Sequence, residues 1–313
     1  MTDGPAAAAR AGDPVSVIIP TFNSARYIEA AVESVLRQTY PPLEIIVVDD
    51  GSTDGTGDRL ARFGDRIQVR SQANAGVCAA RNVAARVAKG TLLAFLDADD
   101  LWEPHKTERQ VAVFQRHPDV AVVAAWFDEI DADGRRMNRG KKKPEPAFDR
   151  PVALHRQLLA HGNVVPLSAS VVRREAFLEV GGFYTRDRIR SGDYELWIRL
   201  SERHPFYVLS ESLCHYRILP QSMLHGSLER EYGAQLNILR MHRHRFTAWS
   251  YRRRLSRLYR DWADSAFYEG LPHGWRMWRA ALAKDPGNLG AWVLAAQVVA
   301  GRLLRRGRPP KPA

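Results

Sequence analysis

The sequence predicts an α/β fold with a mostly parallel sheet that is covered by helices on both faces. Over residues 15–127, short and continuously apolar runs alternate with segments in which apolar residues have helical spacing. Polar residues follow three of these runs, at Pro20-Thr21, Asp49-Asp50 and Asp97-Ala98-Asp99. Because ligands of such sheets bind outside the carboxyl ends of the strands, these three strand ends predict a nucleotide site.

The individual elements follow from the same patterns, in chain order. Apolar runs predict strands over 15–19, 44–48, 67–70, 91–96 and 120–127. Helical spacing predicts helices over 26–38, 53–63, 76–89 and 103–116. A strand and a helix are predicted within 168–183, where Gly181-Gly182 ends the helix, and a further helix over 194–203.

Charge divides the chain into regions. Residues 229–313 contain 17 Lys and Arg against 6 Asp and Glu, a net charge of +11, which equals the +11 of the whole chain. Residues 1–228 are therefore neutral overall. We predict a disordered lead-in over 1–14, an α/β domain over 15–227, a basic helical extension over 228–304 and a basic, Pro-rich tail over 305–313.

The sequence also predicts a cytoplasmic protein. The longest apolar stretch, 290–301, is too short to cross a bilayer, and the Ala-rich start lacks the features of a signal peptide. Cys78 and Cys214 form neither a disulfide framework nor a metal cluster, and we expect packed thiols. The basic extension, with its five tryptophans, is either a solvated face or a peripheral contact to the inner, anionic face of a membrane. No recognition motif accompanies the charge, so nucleic-acid binding is not expected.

The stretch LDADD (96–100) ends one apolar run with three carboxylates. Carboxylates this close repel one another and raise each other's pKa. A divalent cation would remove the repulsion, because magnesium-type ions take one or two protein carboxylates and complete their shell with waters and substrate phosphates. The residues alone leave a second interpretation open, a surface turn in which Asp100 caps a following helix.

Nine short motifs occur in a fixed order along the chain. They are VSVIIPTFN (15–23), Arg26-Tyr27-Ile28, SVLRQTY (34–40), IIVVDDGSTDGT (45–56), NAGVCAARN (74–82), LDADD (96–100), GGF (181–183), GDYELWIRL (192–200) and HYR (215–217). In this order they resemble the family 2 glycosyltransferases, which have the GT-A fold. The resemblance covers residues 15–222 and implies that the domain over 15–227 is a glycosyltransferase catalytic domain.

The resemblance implies a set of nucleotide-sugar contacts at the strand ends. Asp50 would accept hydrogen bonds from the base, and the helix that begins near Gly76 would direct its N-terminal amides at anionic or polar ligand groups. Arg81, one to two turns into that helix, would lie near the nucleotide. From the residues alone, Asp50 can also be an Asx-turn or helix cap, and Arg81 a surface arginine. The implied binding residues are Pro20, Thr21, Asp50, Asn74, Gly76, Arg81 and Asp97.

The resemblance also implies a metal and a general base. Asp99 would ligate Mn²⁺ or Mg²⁺, and Asp97 would contact the sugar or ribose and share the metal site. Asp193 would be the base, since an inverting transfer needs a carboxylate that takes the proton of the acceptor hydroxyl. The acid that precedes this position in the family is replaced by Gly192. The alternative for Asp193 is a helix N-cap.

We therefore predict an inverting, metal-dependent glycosyltransferase of hexosyl or N-acetylhexosaminyl type. Its donor would be a nucleotide-diphosphate sugar of UDP type, and its acceptor a glycan or lipid-linked hydroxyl in cell-surface polysaccharide assembly. Two alternatives stay open. A nucleotidyltransferase would need a Gly-rich phosphate loop, but 21–27 contains no glycine. A non-catalytic sugar-nucleotide-binding module would account for Gly192 and for a family histidine that neither His215 nor His225 replaces.

Overall fold

The computed structural model of the chain describes residues 12–137, 149–186, 191–219 and 228–306, with 301–306 described by backbone alone. The chain divides into two compact units. The α/β unit comprises residues up to 155 together with 163–219, and the helical unit comprises 156–162 together with the residues from 220 onward. Most of the predicted lead-in, the end of the predicted tail and His225 lie outside the described residues.

One mixed sheet forms the centre of the α/β unit. Its strands within the described residues are β1 (Val15–Thr21), β2 (Glu44–Asp49), β3 (Gln68–Ser71), β4 (Leu92–Phe95), β5 (Leu101–Trp102), β6 (Val122–Ile130), β7 (Ser170–Arg173) and β8 (Phe206–Arg217). The strand order is β3-β2-β1-β4-β7-β6-β8-β5. Among these pairings β1–β2, β1–β4, β2–β3 and β6–β8 are parallel, and the other three are antiparallel.

Helices connect the strands and continue into the C-terminal region. They are α1 (Ile28–Leu36), α2 (Thr56–Ala61), α3 (Val77–Val87), α4 (Lys106–Arg116), α5 (His155–His161), α6 (Arg174–Glu179), α7 (Gly192–Ser201), α8 (Leu228–Met241), α9 (Ala248–Tyr268), α10 (Gly274–Lys284) and α11 (Leu289–Arg306). In α1 the buried Ile28, Ala31, Val32 and Val35 share one face, as the helical spacing predicts. The predicted α/β class with a helical C-terminal region is confirmed.

Strand β1 runs to Thr21, two residues beyond the predicted end. Pro20 is tolerated there because its position lies past the neighbouring strand on one side. The pairing of β1 with β4 ends at Ile18 opposite Phe95, whereas the pairing with β2 continues to Thr21 opposite Asp49. A missing backbone N–H therefore interrupts no bond to β4.

The chain after the acidic stretch differs from the prediction of a helix that begins at Glu103. Leu101 and Trp102 form the short strand β5, antiparallel to β8, opposite His215 and Cys214. Helix α4 therefore begins only at Lys106. Asp100 is not the cap of that helix, because the residue before its first turn is His105.

The helical unit has its own apolar cluster. Tyr232 on α8 stacks on Trp262 of α9, with ring centroids 5.5 Å apart, and Leu258 and Met277 are buried beside them. Within the described residues, no helix combines the length and the apolar character needed to cross a membrane.

Candidate active site

The acidic stretch forms a tight turn between β4 and β5. The Asp100 N–H donates to the Asp97 carbonyl at 3.1 Å, and Asp100 is almost fully buried. Burial and repulsion from Asp97 raise the pKa of Asp99 to about 6. Burial and repulsion from Asp99 and Asp97 raise the pKa of Asp100 well above its usual value. The turn therefore concentrates negative charge that its own residues do not neutralise.

Arg217, at the end of β8, holds this turn in place. Its Nε donates to the Asp99 carbonyl at 2.7 Å, and its backbone N–H donates to Asp100 Oδ1 at 2.9 Å. A guanidinium nitrogen donates to the Asp131 carbonyl at 2.9 Å, and the group lies 4.8 Å from the Tyr27 ring centroid. Arg217 and Tyr27 lie inside two of the ordered motifs, but no sequence pattern predicted a role for either residue.

Arg81 is a buried member of the site, in contrast to the surface arginine that its residue type also allowed. It lies in the second turn of α3, and its guanidinium donates to Asp97 Oδ1. The Phe183 ring lies 5.3 Å from the same guanidinium. Asn82 fixes the backbone of Phe183, because the Asn82 side-chain amide donates to the Phe183 carbonyl at 2.7 Å and accepts from the Phe183 N–H at 2.9 Å. Phe183 of the GGF motif therefore packs against the Arg81 guanidinium.

Asp193 lies in the first turn of α7 and shares the electrostatic field of this site. Asn163 Nδ2 donates to Asp193 Oδ2 at 2.7 Å. Burial raises the pKa of Asp193, and the negative charge of Asp97 raises it further. The Tyr194 N–H, the Arg81 guanidinium and the Asn163 amide offset part of that rise. No local signal in the sequence pointed to Asn163, which lies 30 residues away in the chain.

The half-buried Tyr216 lies within the electrostatic reach of all four acids. Burial raises the pKa of the Tyr216 hydroxyl, and the negative charges of Asp100, Asp97, Asp99 and Asp193 raise it further. The predicted metal ligands and the predicted base therefore act electrostatically on one tyrosine and on one another, although they are separated by almost 100 residues in the chain.

Gly192 stands where the family has an acid, and the space beside it is occupied by a side chain of another helix. A Cβ atom at Gly192 would overlap the Sγ atom of Cys78, which lies in α3. Burial raises the pKa of the Cys78 thiol, and the negative charges of Asp193, Glu195 and Asp97 add to that rise. Cys78 is therefore a protonated packing group, and Cys214 is likewise a buried free thiol, as predicted.

Asp50 builds the loop that leads into α3. Its carboxylate accepts hydrogen bonds from Gln72 Nε2 at 2.7 Å and from the N–H groups of Ala75 and Gly76, each at 2.8 Å. A carboxylate at this place also favours the helix N-terminus electrostatically. Asp50 thus acts as a loop cap in the structure, and its contact to a base stays a prediction.

Two of the other predicted nucleotide contacts are Thr21, at the end of β1, and Asn74, in this loop. Thr21 is buried at the end of β1, and its hydroxyl has no hydrogen-bond partner among the described residues. Asn74 is exposed beside Gly76, whose φ of +93° places it in a conformation that favours glycine. Arg81 follows Gly76 by about 7.5 Å along the helix axis. Helix α3 therefore connects the loop to the acidic turn.

The donor atoms of the acidic turn fit a divalent cation that the substrate completes. Carboxylate oxygens are ligands of the kind that Mg²⁺ and Mn²⁺ accept. Within the described parts of the chain, no three His, Cys, Asp or Glu side chains are arranged to hold an ion by themselves. His215 Nε2 lies 3.0 Å from Glu103 Oε1. Asp97 and Asp99 would therefore need substrate phosphates to complete a metal shell.

Relatives of known sequence match a half to two thirds of this chain. A 174-residue stretch is 39% identical to an uncharacterised glycosyltransferase of Nostoc sp. and spans 53% of this chain and 52% of that protein. A 216-residue stretch is 32% identical to the putative teichuronic acid biosynthesis glycosyltransferase TuaG of Bacillus subtilis, spanning 67% of this chain and 81% of that one. The chain matches only 20% of the chondroitin synthase of Pasteurella multocida, at 31% identity over 66% of its own length.

Solved structures share the fold. Staphylococcus aureus TarS 1–349 in complex with UDP-GlcNAc superimposes with a TM-score of 0.59 at 17% identity, covering 94% of this chain and 92% of that chain. The mannosyltransferase PcManGT of Pyrobaculum calidifontis in complex with GDP-Man and Mn²⁺ gives a TM-score of 0.60 at 21% identity, covering 93% and 81%. At these identities the likeness shows the GT-A fold alone.

The family description Glycosyl transferase family 2 matches residues 16–181, just over half of the 313 residues. This match confirms the resemblance that the ordered motifs predicted. It ends before Asp193, so the placement of that residue beside the acidic turn depends on the fold. By the extent of this match, the chain belongs to glycosyl transferase family 2.

Proposed function

We propose that this glycosyltransferase moves a sugar from a nucleotide-diphosphate sugar to an acceptor hydroxyl with inversion at the anomeric carbon. The observation that carries the proposal is the convergence of Asp97, Asp99 and Asp193 around Tyr216, beside the buried cation of Arg81. Asp97 and Asp99 follow a strand, whereas Arg81 and Asp193 lie in the first two turns of helices, and together they would supply metal ligands, a positive charge and a base.

Asp193 would act as the general base. As the acceptor oxygen bonds to the anomeric carbon, its proton passes to a carboxylate oxygen of Asp193. The bond from the anomeric carbon to the diphosphate breaks, and the electron pair leaves with the nucleoside diphosphate. The raised pKa of Asp193 makes it a stronger base, and the hydrogen bond from Asn163 orients the carboxylate.

Arg81 would serve the leaving group as well as the acidic turn. Its guanidinium is already oriented by Asp97 and by the Phe183 ring, so it would not have to reorganise as charge develops. A cation held by Asp99 and Asp97 would supply further neutralisation of the diphosphate. The orphan Thr21 hydroxyl, buried at the end of β1, supports a polar ligand at that strand end.

The substrates are proposed from the relatives. TarS was solved with UDP-GlcNAc and PcManGT with GDP-Man and Mn²⁺, so a hexose or N-acetylhexosamine donor suits the fold. We place UDP first and keep Mn²⁺ or Mg²⁺ as the cofactor. The acceptor would be a glycan or lipid-linked hydroxyl in cell-surface polysaccharide assembly, in line with the putative role of TuaG.

A donor panel tests the proposal. The protein is incubated with UDP- and GDP-sugars, an oligosaccharide acceptor panel, and Mn²⁺, Mg²⁺ or chelator, and nucleoside diphosphate release is measured. We expect metal-dependent release and a product whose anomeric configuration is opposite to that of the donor. Pyrophosphate release from a nucleoside triphosphate and a sugar phosphate would instead indicate nucleotidyl transfer. Donor binding without turnover by any acceptor would indicate a non-catalytic module.

Asp193→Asn tests the base directly. The amide cannot accept the acceptor proton, so we expect turnover to fall by about 10²- to 10⁴-fold while donor binding is retained. Asp58→Asn is the matched control, because Asp58 lies in the first turn of α2 as Asp193 does in α7. Full turnover of Asp193→Asn would contradict the assignment.

A further inference from the structure

Helix α11 presents a row of large apolar side chains to solvent on the helical unit. Leu289 is 77% exposed, Trp292 51%, Val293 55% and Val299 48%. Their spacing places all four within about 120° around the helix axis. An apolar row of this kind on one side of a helix indicates a surface that contacts something other than water.

A second exposed tryptophan begins α9. Trp249 is 67% exposed, and the Arg253 guanidinium lies 4.5 Å from its ring centroid. Arg253 Nε also lies 3.7 Å from Asp285 Oδ2, and Arg252 Nε donates to the Lys284 carbonyl at 3.1 Å. The two arginines therefore connect the start of α9 to the turn between α10 and α11.

Trp292 contacts the same turn directly. Its Nε1 donates to the Pro286 carbonyl at 3.0 Å. One turn is therefore linked to both exposed tryptophans, to Trp292 by a hydrogen bond and to Trp249 through Arg253. We call this surface the tryptophan face, defined by Trp249, Arg252, Arg253, Leu289, Trp292 and Val293.

The tryptophan face belongs to the basic region of the chain, although Asp285 lies beside Arg253. The sequence from 286 to 313 contains five Arg and Lys and no Asp or Glu, and 229–313 carries the whole net charge of +11. Tryptophan is the side chain that prefers the boundary between headgroups and acyl chains, because its ring is apolar and its N–H is polar. Arginine beside it matches anionic headgroups.

We propose that the tryptophan face docks on the surface of an anionic lipid bilayer. Trp292, Val293 and Leu289 enter the headgroup region, and Arg252 and Arg253 contact lipid phosphates or carboxylates. A second copy of the chain is a poorer occupant, since it would bring two surfaces of the same strong positive charge together. This docking does not depend on the chemistry of the α/β unit, so it can fail while the proposed transfer holds.

Vesicle sedimentation tests the docking. The full chain is mixed with vesicles of phosphatidylcholine alone, or with about one third phosphatidylglycerol, and the bound fraction is measured against lipid concentration. We expect at least about tenfold tighter partitioning to the anionic vesicles, and weakening between low and high salt. Quenching of tryptophan fluorescence by lipids brominated near the headgroup reports insertion of the rings.

Paired variants separate the two contributions. Trp292→Ser with Val293→Ser should weaken binding by about tenfold or more through lost apolar insertion. Its control is Leu43→Ser, because Leu43 is 52% exposed on the α/β unit. Arg252→Gln with Arg253→Gln should weaken binding to anionic vesicles alone. Its control is Arg37→Gln with Arg59→Gln, which removes the same charge from the α/β unit.

Several outcomes would overturn the proposal. They are absence of binding to anionic vesicles, equal binding to neutral and anionic vesicles, and full binding by both tryptophan-face variants. A concentration-dependent dimer that Trp292→Ser with Val293→Ser dissociates, without vesicle binding, would show that a second copy covers the face. Circular dichroism and urea midpoints equal to wild type confirm that the variants, all at exposed positions, are folded.

Discussion

The two ends of the sheet hold carboxylates in opposite ways. At the amino end of β2, Glu44 accepts hydrogen bonds from Ser16 Oγ and the Lys89 N–H, both at 2.6 Å, and from Gln68 Nε2 at 2.8 Å. Although burial alone would raise it, these bonds lower the pKa of Glu44. At the carboxyl end, burial and mutual repulsion raise the pKa of Asp99 and Asp100.

The hydrogen-bonded carboxylate at the amino end contributes to stability, whereas the acids at the carboxyl end are arranged for ligand binding. The donors around Glu44 satisfy its charge and tie the amino ends of β1 and β2 to the turn before β4. The acids of the carboxyl end are balanced by the Arg81 guanidinium on Asp97, by the positive charges of Arg217 and Arg81 near Asp99, and by hydrogen bonds from Ser168 and the Arg217 N–H to Asp100. A site of this kind costs the folded protein stability but is ready to bind cationic or metal-bound ligands.

The largest expected effect on stability comes from Arg217→Met. This change removes the guanidinium from the carbonyls of Asp99 and Asp131 and leaves the buried acids without that positive charge. We expect a loss of about 3 kcal/mol in the free energy of unfolding, measured by urea titration. Arg136→Met is the control, because the Arg136 side chain is 67% exposed and its ion pairs with Glu103 and Asp128 are open to solvent, and it should change stability by less than about 0.5 kcal/mol. Equal losses of stability in Arg217→Met and Arg136→Met would contradict this role of Arg217.

A smaller effect is expected for Gly192→Ala. Its Cβ would overlap Cys78 Sγ beside Asp193, and overpacking of this kind costs about 1–3 kcal/mol. Cys78→Ala in the same chain should restore part of the loss, with a coupling energy of about 1–2 kcal/mol in a double-mutant cycle. Gly57→Ala, in α2, meets no heavy atom within 4 Å and should be neutral or stabilising. Strict additivity of the pair would argue against the contact.

The smallest effect is expected at the amino end, for Glu44→Gln. The substitution replaces one carboxylate oxygen with an NH₂ group, which would face hydrogen-bond donors. We therefore expect the free energy of unfolding to fall by about 1 kcal/mol at pH 7. Because folding lowers the pKa of Glu44 below its usual 4.5, its contribution is full above that pH and disappears as pH falls through the lowered value. Urea midpoints of the variant and wild type should therefore converge in acid. Glu33→Gln, in an exposed ion pair, should show neither effect.

Much of the α/β unit followed from local pattern. Val15 to Ile19 and Ile45 to Val48 are apolar on both faces because helices cover both faces of the sheet there, and the run itself reveals the strand. Strand β5 could not be predicted from Leu101 and Trp102, which follow an acid and precede a Pro-containing helix start. Only pairing with β8, more than 100 residues later, makes those two residues a strand.

The candidate site divides in the same manner. The residue types and order of LDADD and of Gly192-Asp193 were sufficient to propose a metal, a base and a family. The support around them was not visible, since Asn163 and Arg217 reach their partners over separations of 30 and 118 residues. A contact of that kind has no spacing or periodicity in the chain, so no local pattern encodes it.

The sequence by itself therefore determined the described strands other than β5 and β8, the polar residues at three strand ends and the family, because these depend on apolar periodicity and on the order of motifs. Only the tertiary structure decided which groups are buried and which neighbours they contact. It buried Arg81 against Asp97, assigned Asp50 to a loop, filled the space at Gly192 with a thiol and left Trp249 and Trp292 exposed. Burial and electrostatic environment are properties of the packed chain, because they arise from neighbours that folding brings together.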